Sequence, residues 1–294
     1  MTGKSRYTLV IPAASSPEFL LHQARLFRRY CREPLDFVVV NDAKPRADPT
    51  NWWRDDIDAA IREVAKRLNL HEVSFPQADH KSHIWERRES ASRRAAESIQ
   101  LGFDVALRKF PDQKILITDH DIFPIEDFSL DEMLGDAAIA GIPQTRKGAW
   151  LKNEVTYLWT GLLILNIPNL QRTDLIRFGC GFVRGARTDT GGQLYHYLAR
   201  FPRLSIRRIP FLMSCAWSLP DLPANLTLHP QLADFIVNDP MSERGMCFSE
   251  LYDGVLFHLR AASNWGYAMG QSSDVFSARM AAFLRAIEHV GSES

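Results

Sequence analysis

An alternation in the first part of the chain restricts the fold more than any other feature. Short apolar runs at residues 7–11, 35–40, 72–75 and 114–118 are separated by stretches with apolar side chains at helical spacing: Phe19, Leu20, Ala24 and Phe27 within 17–30, Ile57, Ile61, Val64, Ala65 and Leu68 within 53–70, and a long segment at 90–110. Short runs without polar alternation are strands buried on both faces, and amphipathic segments between them are crossover helices, so the pattern predicts parallel strands in an α/β sheet. Such a sheet gathers its ligand crevice at the carboxyl ends of the strands. Asp42 follows the second strand and Asp119-His120-Asp121 follows the fourth, which puts two acidic positions on one edge. Pro12 is expected to close the first strand, because proline removes a ladder donor.

The triplet Asp119-His120-Asp121 carries the most chemistry. A tight turn after the run 114–118 releases the strand alternation and lets two carboxylates one residue apart aim at one point. Two such oxygens suit a hard divalent cation, Mn2+ or Mg2+, which commonly shares its coordination with the phosphates of a bound substrate. Aspartate also favours turns and helix caps, so the pair alone leaves a structural role open.

Beyond Asp121 the alternation loosens. Strands are expected at 137–142, 157–167, 205–209 and 254–259, and helices at 168–178, 189–201 and 272–290, the second entered through Thr188-Asp189-Thr190-Gly191-Gly192. Residues 122–124 read as a turn, and 220–240 as a long irregular stretch. No internal repeat or low-complexity tract interrupts the chain, and one continuous domain is expected.

Composition narrows the partners. The 294 residues, 46% of them hydrophobic, are enough for a large core, and 35 basic residues balance 35 acidic ones. No global positive field exists to hold a nucleic acid. The cysteines Cys31, Cys180, Cys215 and Cys247 form no C-x-x-C pair, which argues against a zinc ribbon or a disulfide framework and predicts reduced thiols. No run approaches the roughly 18 apolar residues of a membrane span, so a cytoplasmic location is expected, with peripheral attachment to the inner membrane face through Trp52 and Trp53 left open.

The strand ending in Asp-x-Asp, the run Tyr157-Leu158-Trp159-Thr160-Gly161-Leu162-Leu163-Ile164-Leu165-Asn166, and the late Phe257-His258-Leu259-Arg260 followed by Ser263-Asn264-Trp265 together resemble nucleotide-sugar glycosyltransferases of the GT-A fold. The resemblance spans residues 7–265 and implies a Rossmann-like mixed sheet flanked by helices, with a nucleotide-binding half to about residue 121 and an acceptor half over 122–294. It implies a hexosyl transfer from a nucleoside-diphosphate sugar, uridine diphosphate being favoured by family frequency, to a hydroxyl on a glycan, a lipid-linked acceptor or a small molecule. Asp119, Asp121 and His258 would then be metal ligands, Asp42 would lie near the base or ribose, and Asp189 would face the sugar and acceptor as base or cation stabiliser. The chain departs from the family after His258, where Ala261-Ala262-Ser263-Asn264-Trp265 stands in place of the usual Gly and Lys near a Trp.

Other readings compete at each position. His258 among Phe257 and Leu259 is also a candidate core histidine, and Asp189 a candidate helix cap. Arg87, Arg88, Arg93 and Arg94 form a charge run with Glu86, Glu89 and Glu97 as partners, yet a diphosphate needs cationic forks, and Arg93 or Arg94 is the candidate to supply one. Trp159 in its aliphatic strand is either a core side chain or a wall facing the donor sugar. A sugar-nucleotide-binding protein without turnover is an alternative to the transferase, favoured by the missing lysine. A phosphohydrolase fits less well, because its Asp-x-Asp belongs on the first strand with Thr or Val where this chain has Phe123.

Overall fold

A computed structural model describes residues 6–43, 56–76, 91–148, 154–213, 228–239, 249–260, 262 and 273–292. Strands β1 (Tyr7–Ala13), β2 (Leu35–Asn41), β3 (His71–Ser74) and β4 (Lys114–Thr118) are parallel, in the spatial order β4-β1-β2-β3. The sheet then turns mixed. A long strand, Glu154–Leu165, runs antiparallel to β4; Ile139–Lys147 pairs antiparallel with it, and Ile206–Arg208 runs parallel to that strand at the edge. In chain order these three are β7, β6 and β10.

Side-chain alternation divides the sheet into two buried faces. Leu9, Ile11, Phe37, Val39, Leu116 and Ile164 meet one cluster, while Val10, Val38, Ile115, Ile117 and Leu163 meet another. Helices α1 (Pro17–Tyr30) and α2 (Ile57–Arg67) cover the first face through Leu20, Ala24, Phe27, Ile57 and Ile61. Helix α3 (Ala91–Lys109) covers the second through Ile99, Phe103 and Ala106. Its approach to the sheet is close: a Cβ on Gly102 would lie 2.5 Å from Val10 Cγ1. This is the mixed α/β sheet flanked by helices that the resemblance implies.

A second, antiparallel sheet holds β5 (Ile122–Pro124), β13 (Leu256–Leu259), β12 (Ser249–Tyr252) and β11 (Phe211–Met213), in that spatial order. Its apolar face packs Phe123, Leu251, Phe257 and Leu259 against Phe19 of α1, Phe235 of α6 (Pro230–Val237) and Phe283 of α7 (Ser273–Val290). The chain thus passes from one sheet to the other at Asp119–Asp121. A separate hairpin, β8 (Gly181–Val183) and β9 (Ala186–Thr188), precedes α5 (Leu194–Arg200), and α4 (Leu130–Leu134) follows β5.

Several expectations are corrected. Pro12 does not end β1, which runs to Ala13; Pro12 lies beyond the last residue paired with β4, where the strand borders only β2 and a missing donor is tolerated. Residues 168–178 form no continuous helix but two single 3-10 turns, Ile167–Asn169 and Thr173–Leu175, separated by Arg172 at φ 49°. The helix expected from 189 starts at Leu194, because Gly191 sits at φ 86°, outside helical space. Within 220–240, Pro230–Val237 is helical, with proline at its first position and the His229 side chain capping the Gln231 N–H. Residues 122–124 are a strand rather than a turn.

Among the described residues no helix is long and apolar enough to cross a membrane. Cys31 and Cys180 are not in disulfides, and each is half-buried. Trp52, Trp53, Arg87, Arg88, Asn264 and Trp265 lie outside the described residues.

Candidate metal centre

The backbone around Asp119 and Asp121 is fixed from three sides. The Asp119 N–H donates to the Gly161 carbonyl of β7 at 2.9 Å, and the Leu259 N–H of β13 donates to the Asp121 carbonyl at 3.0 Å. From α1, the buried Gln23 amide donates to the Asp119 and Ile122 carbonyls at 2.7 and 2.8 Å. These bonds hold the crossing between the two sheets and so fix where the carboxylates project. His120 lies in contact with Ser15 Oγ at 3.3 Å and with the Phe19 ring, and burial lowers its pKa, so it stays neutral as part of the packing.

Antiparallel pairing of β13 with β5 sets His258 opposite Ile122, one residue from Asp121. One ligand atom each from Asp119, Asp121 and His258 lies within 4.8 Å of the other two. His258 Nε2 is 3.4 Å from Asp121 Oδ1, while Nδ1 on the other side of the ring is 3.0 Å from Glu250 Oε2 and 2.7 Å from the Tyr252 hydroxyl. Tyr252 also donates to Glu250, whose second oxygen pairs with Arg260 at 3.3 Å. The Trp159 ring lies over Gly161, where a Cβ would come within 2.0 Å of it, and reaches to 5.4 Å from the His258 ring. Only glycine at 161 allows that placement.

The charges reveal what the cluster wants. Burial, reinforced by Asp121 and Asp189, pushes the Asp119 carboxyl up to about 7 against the pull of His258. Burial also works against ionised Asp121, yet the His258 charge outweighs it and holds the carboxyl below its ordinary value. For His258 burial favours the neutral ring, but Asp121 and Glu250 raise it to about 9. Asp121 Oδ1 is buried without a hydrogen-bond donor among the described residues. A half-buried carboxyl that resists ionisation, an orphaned carboxylate oxygen and an imidazole oriented by a second carboxylate fit a divalent cation, whose charge would reverse the first two conditions together.

The other predicted residues fall into two places. Asp42 is buried at the end of β2 and is held by Arg94, at 2.8 Å to Oδ1, and by Ser98, at 2.8 Å to Oδ2; Arg94 also donates to the Asp42 carbonyl. The two therefore form a buried ion pair. Arg93, its neighbour in sequence, instead faces a cavity shared with Asp189. Asp189 follows β9, takes the Tyr157 hydroxyl as acceptor for its N–H at 2.9 Å, and accepts from the Thr190 N–H at 2.8 Å. It caps this turn and not the helix at 194. The turn lies against β7: a Cβ on Gly191 would meet the Leu158 carbonyl at 2.3 Å. Asp189 is thus held beside the middle of β7, next to the stretch that supplies Trp159 and Gly161.

Sequence reasoning missed Gln23, Glu250 and Tyr252. The last two had a signal: Asp253-Gly254 separates 249–252 from 256–259, and an Asp-Gly pair between apolar runs marks a hairpin. Reading that hairpin places Glu250 across from His258, as the pairing of β12 with β13 does. Gln23, on a regular amphipathic helix, gave none.

No family model matches this sequence, and no curated protein matches it. Among solved structures it is similar to a mannosyltransferase from Pyrobaculum calidifontis in complex with GDP-Man and Mn2+, at 14% identity and a TM-score of 0.40, over 98% of this chain and 74% of that one. It is also similar to an active-site mutant of LgtC, at 13% identity and a TM-score of 0.39, over 94% and 95% of the two chains. A third is the glycosyltransferase GlyE of Streptococcus pneumoniae, at 11% identity and a TM-score of 0.37, over 98% of this chain and 62% of that one. Likeness at this distance carries no argument about chemistry, which rests on the side chains.

Proposed function

We propose that the protein is a metal-dependent glycosyltransferase that moves a sugar from a nucleoside-diphosphate sugar to a hydroxyl acceptor. The observation that supports it is the Asp119, Asp121 and His258 cluster with its orphaned Asp121 oxygen, at the carboxyl edge of a parallel sheet. The imidazole ligand favours Mn2+ over Mg2+, which prefers an all-oxygen shell. A bound cation would supply neutralisation of the charge that develops on the leaving diphosphate as the sugar gains oxocarbenium character.

This chain's own residues do the rest. Glu250 and Tyr252 hold Nδ1 of His258, which leaves Nε2 to coordinate. Trp159 walls the site beside His258. The nucleotide lies over the half of the chain up to about 121, where the buried pair of Asp42 and Arg94 forms a rigid floor for the base or ribose. The acceptor meets the half from 122 onward. Asp189 takes the proton of the acceptor hydroxyl if the configuration inverts, and steadies the cationic sugar if it is retained. Uridine diphosphate is the first carrier to try.

A thermal-shift screen against UDP, GDP, ADP, CMP and their common sugars, each with and without Mn2+, tests this, because a ligand that binds only the native state raises Tm by mass action. A rise for one nucleoside diphosphate that requires the metal is the expected result. No rise for any of them defeats the reading. Asp189→Ala should keep the donor response and depress turnover, whereas lost stability at normal turnover would leave Asp189 as a turn cap alone.

A further inference from the structure

The cavity that Asp189 shares with Arg93 has a volume of about 300 Å³ and is lined also by Arg146 and Arg187. The three arginines come from separate elements: Arg93 from the start of α3, Arg146 from the far end of β6, and Arg187 from β9. None of the three is in an ion pair among the described residues; Arg146 meets only uncharged groups, the Gln144 amide at 3.5 Å and the Tyr157 hydroxyl. Converging unpaired guanidinium groups repel one another, and without a ligand the arrangement gains nothing that a single arginine would not give. With one carboxylate among them the cavity carries a formal charge of +2, from three positive groups and one negative.

We infer that this cavity receives a phosphate monoester carried by the acceptor. A monoester brings about −1.5 to −2 charges at neutral pH and oxygens that guanidinium forks bind bidentately, which matches the surplus of two better than a single carboxylate does. The cavity adjoins the metal cluster, since the charge of Asp189 in its wall also acts on Asp119, and a phosphate held by the arginines would stand beside the diphosphate, whose own charge a bound cation would meet. Asp189 lies in the same cavity and faces sugar and acceptor in either stereochemical course, so a phosphate held by the arginines would tether the acceptor with its hydroxyl near Asp189. The acceptor role rests on the transferase reading; the phosphate site does not.

The test uses the full chain and the double variant Arg146→Gln/Arg187→Gln, both positions being exposed and in no ion pair among the described residues, so that folding is preserved. Glucose 6-phosphate in solution and vesicles containing phosphatidic acid are titrated side by side in metal-free buffer, and UDP with Mn2+ is titrated separately. The expected result is saturable binding of one phosphate source that weakens by about tenfold or more in the variant, the worth of one or two charge-assisted hydrogen bonds, with the UDP response unchanged. The source that loses affinity identifies a free or a lipid-borne monoester. Equal affinity of wild type and variant for both sources overturns the site. Loss of the UDP response in the variant overturns it too, since the arginines would then serve the donor. If wild type responds to no nucleotide with Mn2+, the acceptor role falls with the transferase reading, while the phosphate titration still decides whether the cavity binds phosphate.

Discussion

Two acidic sites lie at the carboxyl ends of parallel strands that flank β1, and they are finished in opposite ways. At the end of β2, each carboxylate oxygen of Asp42 has a donor, one from Arg94 and one from Ser98, and the charge is balanced in place. After β4, Asp119 and Asp121 share one imidazole, Asp121 Oδ1 has no hydrogen bond among the described residues beyond that 3.4 Å ion pair, and Asp119 resists ionisation. Position on the sheet edge is the same for both. What separates a floor from a metal centre is the unmet demand for positive charge, and that demand is set by side chains from α3 in one case and from the second sheet in the other.

The comparison breaks most visibly under removal of a carboxylate. Asp121→Ala should abolish the Mn2+-dependent rise in Tm with UDP while the far-ultraviolet circular dichroism stays native, because among the described residues the one buried cation beside Asp121 is His258, which can lose its proton. Retained metal dependence in that variant would end the metal assignment. Asp42→Ala should do the reverse: removing one partner of a buried charge pair typically costs about 3–5 kcal/mol. Urea unfolding measures it, and a loss under about 1 kcal/mol, the scale of an exposed pair, would show that Arg94 has another adequate place for its charge.

The same contrast explains how much was legible in the sequence. Alternation of buried runs and amphipathic helices reads directly as β1 to β4 with α1 to α3, because local periodicity decides those elements. The pair Asp119 and Asp121 was legible for the same reason, through the strand before it. What escaped depends on contacts distant in sequence. Gln23 holds a turn 96 residues away, and the buried pair of Asp42 with Arg94 spans 52 residues. Ile122–Pro124 is too short to announce itself and becomes a strand only by pairing with β13. Asp189 looks like a helix cap in sequence because Thr-Asp-Thr precedes a helical pattern, and only the positive φ of Gly191 delays the helix to 194.

Glu250 sharpens the comparison within the metal centre. It makes no claim to be a ligand; it holds Nδ1 of His258, and through Arg260 its own charge is partly met. Glu250→Gln keeps the shape and gives up the charge, so Mn2+ affinity should fall by about 10–100-fold, the usual cost of losing a partner that orients a metal-bound histidine. Calorimetric titration with Mn2+ decides it. An unchanged affinity would mean that Tyr252 alone orients the ring.

A smaller effect, and the most diagnostic of charge demand, is the pH dependence of the metal-free protein. Asp119 is raised from 3.8 to about 7 and His258 from 6.5 to about 9 in the folded state. A group whose folded value is raised contributes stability that is complete below its unfolded value and is lost as pH rises through the folded one. The Asp119 contribution therefore disappears as pH climbs through about 7, and that of His258 begins to go above 6.5 and is gone past about 9. Asp121 and Glu250, held low, lose their contributions only on the acid side, so they do not offset this slope above neutrality. A cation needs Asp119 and His258 without their protons, so its binding releases protons and strengthens over the interval in which the metal-free fold weakens. Between about pH 6 and about pH 8, Tm without metal should fall and the rise produced by Mn2+ should grow. A rise that is the same at both ends would mean that the cation binds without displacing either proton, and would place it away from Asp119 and His258.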